Sequence, residues 1–282
     1  MGLGAPQQLW IIGGTQESAA VVGAIASYPQ TAHPQPTAPY LVSVTTPTAT
    51  QLYPKGTQVW VGQLTPETLP VFLETHQVGA ILDASHPFAT VISELAIAAS
   101  HQYALPYLRY ERPACTDVAS SVSPPASSNI LTVPDYAALL SSDRLANQRV
   151  LLTLGYRALP LFTPWQKRAT LFARILPSAA ALAAALAAGF LPQRLIAVRP
   201  PLTAEFEKAL WQQWQISTVV TKASGHIGGE NTKRQIAQAL GVKLIIIERP
   251  AVAYPRITDQ LSQAVAFAMA TMPNPLPRLT GP

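Results

Sequence analysis

Short apolar runs alternate with longer stretches of helical character along nearly the whole chain. Each run is too short for a helix and is bounded by polar residues, glycine or proline, which predicts a buried strand. Alternating strands and helices are typical of βαβ units and of a mainly parallel sheet, so the pattern predicts an α/β fold. The predicted strands are residues 9–13, 40–44, 80–83, 105–110, 130–133, 149–154, 170–175, 195–198, 218–221 and 243–247.

Helices are predicted between these strands, among them residues 15–27, 66–76 and 87–101, and an alanine-rich helix over residues 178–188. A stretch rich in proline and serine, residues 113–129, interrupts the pattern and predicts a linker or an exposed loop. We therefore expect two α/β domains in succession. Their predicted bounds are residues 1–128 and 129–272, followed by a proline-rich tail over residues 273–282.

Charge is scarce in this chain and unevenly distributed. Of the 282 residues, 49% are hydrophobic and 12% are charged, which provides ample apolar material for packed cores. Residues 1–140 hold 3 Lys and Arg against 8 Asp and Glu, whereas residues 141–282 hold 16 against 6. The basic residues of the second half are mostly isolated and are not interleaved with aromatic residues. A small polyanion therefore fits this half better than a nucleic acid.

Other composition features narrow the class of protein further. The single cysteine, Cys115, excludes an intramolecular disulfide and a thiolate-rich metal cluster. No basic leader precedes the first predicted strand. The longest apolar run, residues 179–191, falls short of the roughly 20 residues that a membrane span needs. We expect a cytoplasmic protein with no membrane partner and no metal site.

The first predicted strand ends in two glycines, and a predicted helix follows. Gly13 and Gly14 allow unusual backbone conformations, so N–H groups at the helix start could approach a phosphate. Thr15 could cap the helix or bind the ligand. The turn lacks the three-glycine dinucleotide fingerprint, and such turns also occur for purely conformational reasons. Phosphate or nucleotide binding and a structural turn are both consistent with these residues.

Residues 83–89 (DASHPFA) follow a buried strand, at the edge where open α/β sheets bind ligands. Ser85 is placed to cap a helix whose first turn accepts Pro87. His86, three residues after Asp83, is a candidate proton donor or orienting hydrogen-bond group. A capped helix start with a structural histidine is the alternative.

Arg109 and Arg112 end the last predicted strand of the first half and are the only arginines in residues 1–140. Two guanidinium groups at the ligand edge of a sheet would suit carboxylates or phosphates. A surface ion pair with Glu111 is the alternative.

Two loops of the second half carry similar candidates. Residues 153–157 (TLGYR) follow one strand, and residues 221–229 (TKASGHIGG) follow another. The second loop could hold an anion through backbone N–H groups and one ammonium. It is not a P-loop, because its lysine precedes the glycines. A merely flexible loop is the alternative.

Taken together, these motifs resemble the precorrin-6A reductase family of corrin-ring biosynthesis, in both its metal-free and its cobalt-precorrin branches. Residues 13–17, 83–89, 109–113, 221–229 and 248–250 occur in the family's order and spacing, and the resemblance covers nearly the whole chain. It implies two Rossmann-like domains with mainly parallel sheets and a cleft between them. It also implies NADPH as hydride donor and reduction of one double bond in a polycarboxylated tetrapyrrole.

The motifs and the resemblance together assign roles to individual residues. His86 and Lys222 are the candidate catalytic residues, and a monomer or small homo-oligomer is expected. The expected cofactor-binding residues are Gly13, Gly14, Thr15, Glu17, Ser43, Thr45, Asp83, Ser85, His86, Pro87 and Phe88. The expected substrate-binding residues are Arg109, Arg112, Gly155, Tyr156, Arg157, Lys222, Ser224 and Gly225.

Some positions depart from the family's pattern. After the second strand the family often has an arginine that could bind the adenosine 2′-phosphate, whereas residues 43–48 (SVTTPT) contain none and offer hydroxyl groups. Ser85 stands where threonine is commoner, Ala223 stands where aspartate is usual, and residues 199–202 (RPPL) replace a Gly-Pro-Phe-type turn.

Two other classes of function also fit the sequence. A two-domain glycosyltransferase-like enzyme would bind a nucleotide sugar and would oxidise no nicotinamide. A non-catalytic tetrapyrrole or nucleotide sensor would bind its ligand without turnover.

Overall fold

The computed structural model describes residues 7–27, 40–113, 129–225 and 228–272. The chain divides into two compact units: unit 1 comprises residues 1–112 and 251–282, and unit 2 comprises residues 113–250. The predicted tail, residues 273–282, lies outside the described residues, as does nearly all of the predicted linker.

Within the described residues, the strands and helices follow one another in the alternation that the hydrophobic pattern predicts. The strands are β1 (Gln8–Ile12), β2 (Tyr40–Val44), β3 (Val59–Val61), β4 (Val78–Asp83), β5 (Tyr107–Tyr110), β6 (Ile130–Val133), β7 (Arg149–Leu152), β8 (Thr170–Ile175), β9 (Leu195–Ala197), β10 (Thr218–Lys222), β11 (Lys243–Ile247) and β12 (Ile257–Thr258). The α-helices are α1 (Gln16–Ala26), α2 (Leu69–Thr75), α3 (Thr90–Gln102), α4 (Tyr136–Leu140), α5 (Ala179–Ala187), α6 (Ala204–Gln213), α7 (Glu230–Leu240) and α8 (Leu261–Thr271). Short 3₁₀ helices span Pro47–Leu52, Asp143–Leu145, Tyr156–Lys167 and Pro192–Arg194.

Unit 1 is a parallel sheet with helices on both faces. Its strand order is β12-β5-β4-β1-β2-β3, and all of these pairings are parallel. Side chains of α1 and α8 pack on one face with Leu9 and Ile11, and those of α2 and α3 pack on the other face with Trp10 and Ile12. Because strand side chains alternate between faces, the unbroken apolar run of β1 fills both cores.

Unit 2 repeats this architecture. Its strand order is β6-β11-β10-β7-β8-β9, again with parallel pairings throughout. Helices α6 and α7 cover one face through Trp211 and Ile236. Two parallel sheets flanked by helices confirm the predicted α/β class and the two Rossmann-like units.

Each sheet reverses its strand order at one place. In unit 1 the chain runs from β1 outward to β2 and β3 and then returns to β4 on the other side of β1. In unit 2 it runs from β7 to β8 and β9 and then returns to β10 beside β7. Ligands of open α/β sheets bind beyond the carboxyl ends of the strands at such switch points. A ligand is therefore expected beside the segments that follow β1, β4, β7 and β10.

The structure differs from the predicted domain boundary at the C-terminal end. Residues 251–272, assigned from sequence to the second domain, belong to unit 1. Strand β12 pairs with β5, and α8 packs beside α1. The sequence pattern omitted β12, whose two residues leave too short a hydrophobic signal, and it also omitted the three-residue strand β3.

Candidate functional site

The glycine turn after β1 lies at the switch point of unit 1. Gly14 has a φ of 91°, which residues with a side chain rarely adopt. Thr15 is the N-cap of α1: its Oγ1 accepts a hydrogen bond from Ser18 N (3.1 Å), and its own N donates to Ser18 Oγ (3.2 Å). Thr15 Oγ1 also donates to Ala84 O (2.7 Å), which joins this turn to the end of β4.

The Gly14 side of the turn is open. No described atom lies within 4 Å of the place where a Cβ of Gly14 would stand. The N–H groups of Gln16 and Glu17, in the first turn of α1, have no acceptor within the helix. Open space beside a glycine and amides at the positive end of a helix dipole fit a phosphate group.

Tyr53 closes the Gly13 side of the turn. It follows the 3₁₀ helix Pro47–Leu52 and is buried in the core beneath α1. Its Oη lies 2.7 Å from Gly14 N and 2.8 Å from Ser18 Oγ. A Cβ at Gly13 would stand 2.3 Å from this oxygen, so the position requires glycine. The sequence analysis did not identify Tyr53, because no motif marks it.

Glu17 and Arg112 form an ion pair at the start of α1. Arg112 Nη1 lies 2.6 Å from Glu17 Oε1, and the two side chains are 10% and 6% exposed. Arg112 was expected to bind substrate carboxylates, but here it contacts a carboxylate of its own unit. The pair neutralises a negative charge that would otherwise repel a phosphate at this helix end.

The two predicted cofactor residues near the end of β2 have different surroundings. Ser43 is buried, and its Oγ accepts a hydrogen bond from Trp10 Nε1 (2.8 Å). This hydroxyl does not fit a cofactor contact, because it is buried and bonded to a tryptophan of the core. Thr45 is exposed immediately after β2, and the Oγ1 atoms of Thr46 and Thr48 follow it, 3.3 Å apart.

Asp83 ends β4 and is fully buried. Its carboxylate accepts hydrogen bonds from Ser85 N (3.0 Å) and Ser93 Oγ (2.6 Å), and also from Tyr107 Oη (2.9 Å) and Arg109 Nη1 (2.8 Å). Burial, and then the charge of Asp83, raise the pKa of Tyr107. Direct cofactor binding does not fit a carboxylate with no exposed surface and four donors, so Asp83 acts as an anchor for the surrounding segments.

Arg109 is equally buried, with no exposed side-chain surface. Its Nε and Nη2 donate to Glu111 Oε2 (2.9 and 2.6 Å), and Nη1 also donates to Ser85 Oγ (2.9 Å). Burial opposes its charge, but Asp83, Tyr254 and Glu111 outweigh burial and raise the pKa of Arg109. The predicted contact with substrate does not fit a guanidinium enclosed in this way.

The segment between β4 and α3 carries four predicted cofactor residues. Ser85 and Pro87 are buried, whereas His86 and Phe88 are partly exposed. The N-cap of α3 is Ala89, so Ser85 does not cap this helix. The Ser85 hydroxyl instead accepts a hydrogen bond from Arg109. This part of the prediction failed because α3 begins later than the sequence pattern indicated.

His86 has a defined orientation in this segment. Phe88 N donates to His86 Nδ1 (3.2 Å), and Ala89 N donates to His86 O (2.7 Å). Because Nδ1 accepts a hydrogen bond, a neutral His86 carries its proton on Nε2. The imidazole is thus suited to donate a hydrogen bond through Nε2.

In unit 2 the segments after β7 and β10 bring cations together. Gly155 has a φ of 81°, and the Arg157 guanidinium lies 5.9 Å from the ring centroid of Tyr156. Lys222 ends β10, the strand beside β7. Burial, and then the charge of Arg157, lower the pKa of Lys222 to about 8. Two cations at one sheet edge suit a carboxylate ligand.

The glycine turn after β10 is filled by a carboxylate of its own helix. Gly225 N donates to Glu230 Oε2 (3.0 Å), and Glu230 is 1% exposed. Ser224 Oγ donates to Gly228 O (3.2 Å). The predicted anion cradle therefore does not offer Ser224 or Gly225 to a ligand in this arrangement. Residues 226–227 of the motif lie outside the described residues.

Further buried charges brace this turn. Lys233 Nζ donates to Gly228 O and Gly229 O, both at 3.2 Å. Burial, and then the charge of Arg174, lower the pKa of Lys233 to about 8. Arg234 lies 3.0 Å from Glu230. The sequence analysis missed these helix residues, although the adjacent Lys-Arg pair could have drawn attention to them.

Arg249 is a further residue to which the sequence analysis gave no role. It follows β11, and its Nε donates to Ala223 O (3.0 Å), beside Lys222. Its signal was the ERP motif of residues 248–250, which the family resemblance included. It adds a third cation to the segments at the carboxyl edge of sheet β11-β10-β7.

The described residues show neither a metal-binding cluster nor a membrane-spanning helix. Among those residues, no three or more His, Cys, Asp or Glu side chains are grouped so that they could hold a metal ion. None of the helices described above combines the length and apolar character that crossing a membrane requires.

Comparisons with known proteins agree on one family. The family model described as precorrin-6x reductase CbiJ/CobK matches residues 8–269. A cobalt-precorrin-6A reductase of Synechocystis sp. is 45% identical over 94% of this chain and 97% of its own length. A cobalt-precorrin-6A reductase of Priestia megaterium is 32% identical over 79% of this chain and 85% of its own length.

A solved structure gives the same result for the fold. The structure titled CobK precorrin-6A reductase superposes with a TM-score of 0.74 at 25% identity, and the match covers 95% of this chain and 100% of that one. The match therefore includes both parallel sheets and the segments at their switch points. The chain belongs to the precorrin-6x reductase CbiJ/CobK family, whose members are oxidoreductases of cobalamin biosynthesis.

Proposed function

We propose that this protein reduces one double bond of cobalt-precorrin-6A, or of its metal-free counterpart, with NADPH as hydride donor. The observation that carries the proposal is the match of the family model to residues 8–269, which span both units. The Synechocystis relative, matched over 97% of its length, favours the cobalt-containing ring as substrate.

Unit 1 is the proposed cofactor-binding unit. Gly14, with open space beside it, and the first amides of α1 fit the pyrophosphate. Thr15 fixes the helix start, and the Glu17–Arg112 pair keeps that end of the helix free of net negative charge. When bound, NADPH supplies the hydride.

The preference for NADPH over NADH is argued from the segment after β2. NAD-binding Rossmann units place an acidic residue there for the ribose 2′-hydroxyl, and this acid would repel a 2′-phosphate. Residues 43–55 contain no Asp or Glu, and they offer exposed Thr45 and Lys55. Hydroxyl groups and one ammonium at this edge fit a 2′-phosphate.

Unit 2 is the proposed substrate-binding unit. Lys222 ends β10, and Arg157 and Arg249 follow the two strands beside it, β7 and β11. All three are cations suited to the carboxylate arms of the ring. Within residues 141–282 basic residues also outnumber acidic residues, so this half of the sequence carries a net positive charge. Long-range attraction of a polyanion would add to these local contacts.

Reduction of a double bond adds a hydride to one atom and a proton to its neighbour. His86 is proposed to orient a ligand by donating from Nε2, since its Nδ1 is engaged by Phe88 N. Lys222 is proposed to neutralise a carboxylate or the electron-rich ring. Water can protonate the conjugated ring, so we expect positioning and electrostatics to provide most of the rate enhancement.

The test is anaerobic incubation of the protein with NADPH and either ring form, followed by pyridine-nucleotide absorbance and the ring spectrum. We expect one NADPH oxidised per ring reduced, faster than with NADH. Ligand binding without oxidation would support the sensor alternative, and turnover of a nucleotide sugar instead would support the glycosyltransferase-like alternative. Either result would overturn the proposal.

A further inference from the structure

A chain of buried hydroxyl groups runs through the glycine turn of unit 1. Gly14 N–H donates to Tyr53 Oη (2.7 Å), and Tyr53 Oη shares a hydrogen bond with Ser18 Oγ (2.8 Å) in which either hydroxyl can donate. Ser18 Oγ–H in turn donates to Thr15 O (2.8 Å). The turn and the start of α1 thus form one connected hydrogen-bond network.

Burial makes this network sensitive to the loss of one member. Tyr53, Ser18 and Thr15 are 8%, 0% and 9% exposed, and burial raises the pKa of Tyr53, so its hydroxyl stays protonated. Without the Tyr53 oxygen, Gly14 N–H would lose the side-chain acceptor of a partly buried hydrogen bond. Loss of this hydrogen bond would remove the contact that fixes the backbone of the turn, so the turn would adopt other conformations.

Tyr53 also links two segments of the unit. It directly follows the 3₁₀ helix Pro47–Leu52, which begins three residues after β2 ends. In a Rossmann-like unit the segment after the second strand contacts the ribose, and the turn after the first strand contacts the pyrophosphate. One hydroxyl therefore fixes the distance between these two segments.

We propose that Tyr53 is a positioning residue for the cofactor, whose hydroxyl holds the Gly13–Gly14 turn in the conformation that receives the pyrophosphate. The inference rests on NADPH binding in unit 1 and identifies a residue that sets its affinity. Tyr53 does not contact the phosphate in this account, because its oxygen is directed to Gly14 N and Ser18 Oγ.

The experiment compares Tyr53→Phe with Tyr40→Phe. Tyr40 is a buried tyrosine of the same core, its hydroxyl bonds to Thr57, and it does not contact the turn. Calorimetry gives the dissociation constant of NADPH for each full-length protein without turnover. We expect Tyr53→Phe to raise this constant about tenfold, the effect of losing one hydrogen bond that holds the turn, and Tyr40→Phe to leave it unchanged. Substrate KM should change in neither.

A second variant keeps the test decisive if Tyr53→Phe folds poorly. Ser18→Ala removes the next hydroxyl of the network and should weaken NADPH binding in the same direction. Unchanged or tighter NADPH binding in both variants, each shown to be folded, would overturn the positioning role while leaving the proposed function intact. No NADPH binding by the unmodified protein would instead refute the proposed function itself.

Discussion

The two units follow the same strand order around their switch points, yet their glycine turns are built differently. After β1, neutral hydroxyls of Thr15, Ser18 and Tyr53 hold the turn, and the space beside Gly14 is open. After β10, the carboxylate of Glu230 and the ammonium of Lys233 hold the turn from within. A ligand phosphate fits the first turn, whereas the second already contains an anion.

This difference shows that glycines after a buried strand do not by themselves define an anion site. The deciding feature is whether a buried carboxylate of the same unit already accepts a hydrogen bond from the turn's N–H groups. In unit 2 Glu230 does so for Gly225. The turn then directly follows Lys222, which ends the preceding strand.

Strands β4 and β10 occupy equivalent places in the two sheets. The residues at their carboxyl ends also differ in charge. His86 follows β4 and, when neutral, donates through Nε2. Lys222 ends β10 as a cation with Arg157 nearby. Unit 1 thus offers dipoles and unit 2 offers positive charge, as a cofactor site and a polycarboxylate site would require.

The largest effect should come from removing the carboxylate of the second turn. Glu230→Ala removes the buried acceptor of Gly225 N and the ion-pair partner of partly exposed Arg234. It also removes one of the two acidic groups near buried Lys233. Breaking a buried ion pair costs about 3–5 kcal/mol. Urea unfolding should register this decrease in stability. The matched change in the first turn, Ser18→Ala, removes only a neutral hydroxyl and should cost about 1 kcal/mol. Equal losses in the two variants would refute the contrast between the turns.

The same substitution can be made at a glycine of positive φ in each unit. Its effect on NADPH binding tests which of the two turns binds the cofactor. Gly14 and Gly155 both have positive φ, and each has open space where a Cβ would stand. Gly14→Val should raise the NADPH dissociation constant about a hundredfold, because it adds backbone strain and bulk at the phosphate. Gly155→Val carries similar strain and should leave NADPH affinity unchanged. Calorimetric titration distinguishes them, and equal effects would remove the cofactor assignment of Gly14.

The fold could be predicted from the sequence because its strands are continuous buried apolar runs. Strands β2, β6, β8 and β11 coincide with their predicted spans, since runs such as residues 243–247 are hydrophobic on both faces. The packing of residues 251–272 on unit 1 could not be predicted. It depends on β12, whose two residues pair with β5 far away in the sequence.

The candidate site was only partly predictable, for a related reason. The turn at Gly13–Gly14 could be found because its signal is local. The partners that decide its chemistry are distant: Tyr53 lies 39 residues from Gly14, and Arg112 lies 95 residues from Glu17. Arg109 was predicted to bind substrate, because the sequence does not reveal that its guanidinium pairs with Asp83 inside the core.

The end of β4 is tested by His86→Ala. If His86 orients a ligand by a hydrogen bond, kcat should fall about tenfold, which corresponds to roughly 1.4 kcal/mol. General acid catalysis typically contributes 10²–10⁴-fold. A kcat loss in that range, with one limb of the pH–rate profile missing, would make His86 the proton donor. Steady-state kinetics across pH therefore decides between the two roles.

The end of β10 is tested through its charge. The pKa of Lys222 is lowered to about 8, so its ammonium form is present below pH 8 and is lost as the pH rises through 8. Substrate kcat/KM should fall over that range, and Lys222→Met should remove this fall and raise substrate KM about fivefold at pH 7. Lys243→Met, at an exposed lysine that begins β11, is the matched control and should behave like the unmodified protein. A pH profile that persists in Lys222→Met would assign it to another group.

The smallest effect concerns the ion pair beside the first turn. Arg112→Gln leaves the Glu17 carboxylate uncompensated near the proposed phosphate, so the NADPH dissociation constant should rise about threefold, while substrate KM stays unchanged. Glu17→Gln should not weaken NADPH binding, and adding it to Arg112→Gln should restore affinity, because the repelling charge is gone. The sequence motif alone predicted that Arg112 binds the substrate. A larger rise in substrate KM than in cofactor KM would therefore return Arg112 to the substrate side and show that its contact with Glu17 is exchanged for a ring carboxylate when the substrate binds.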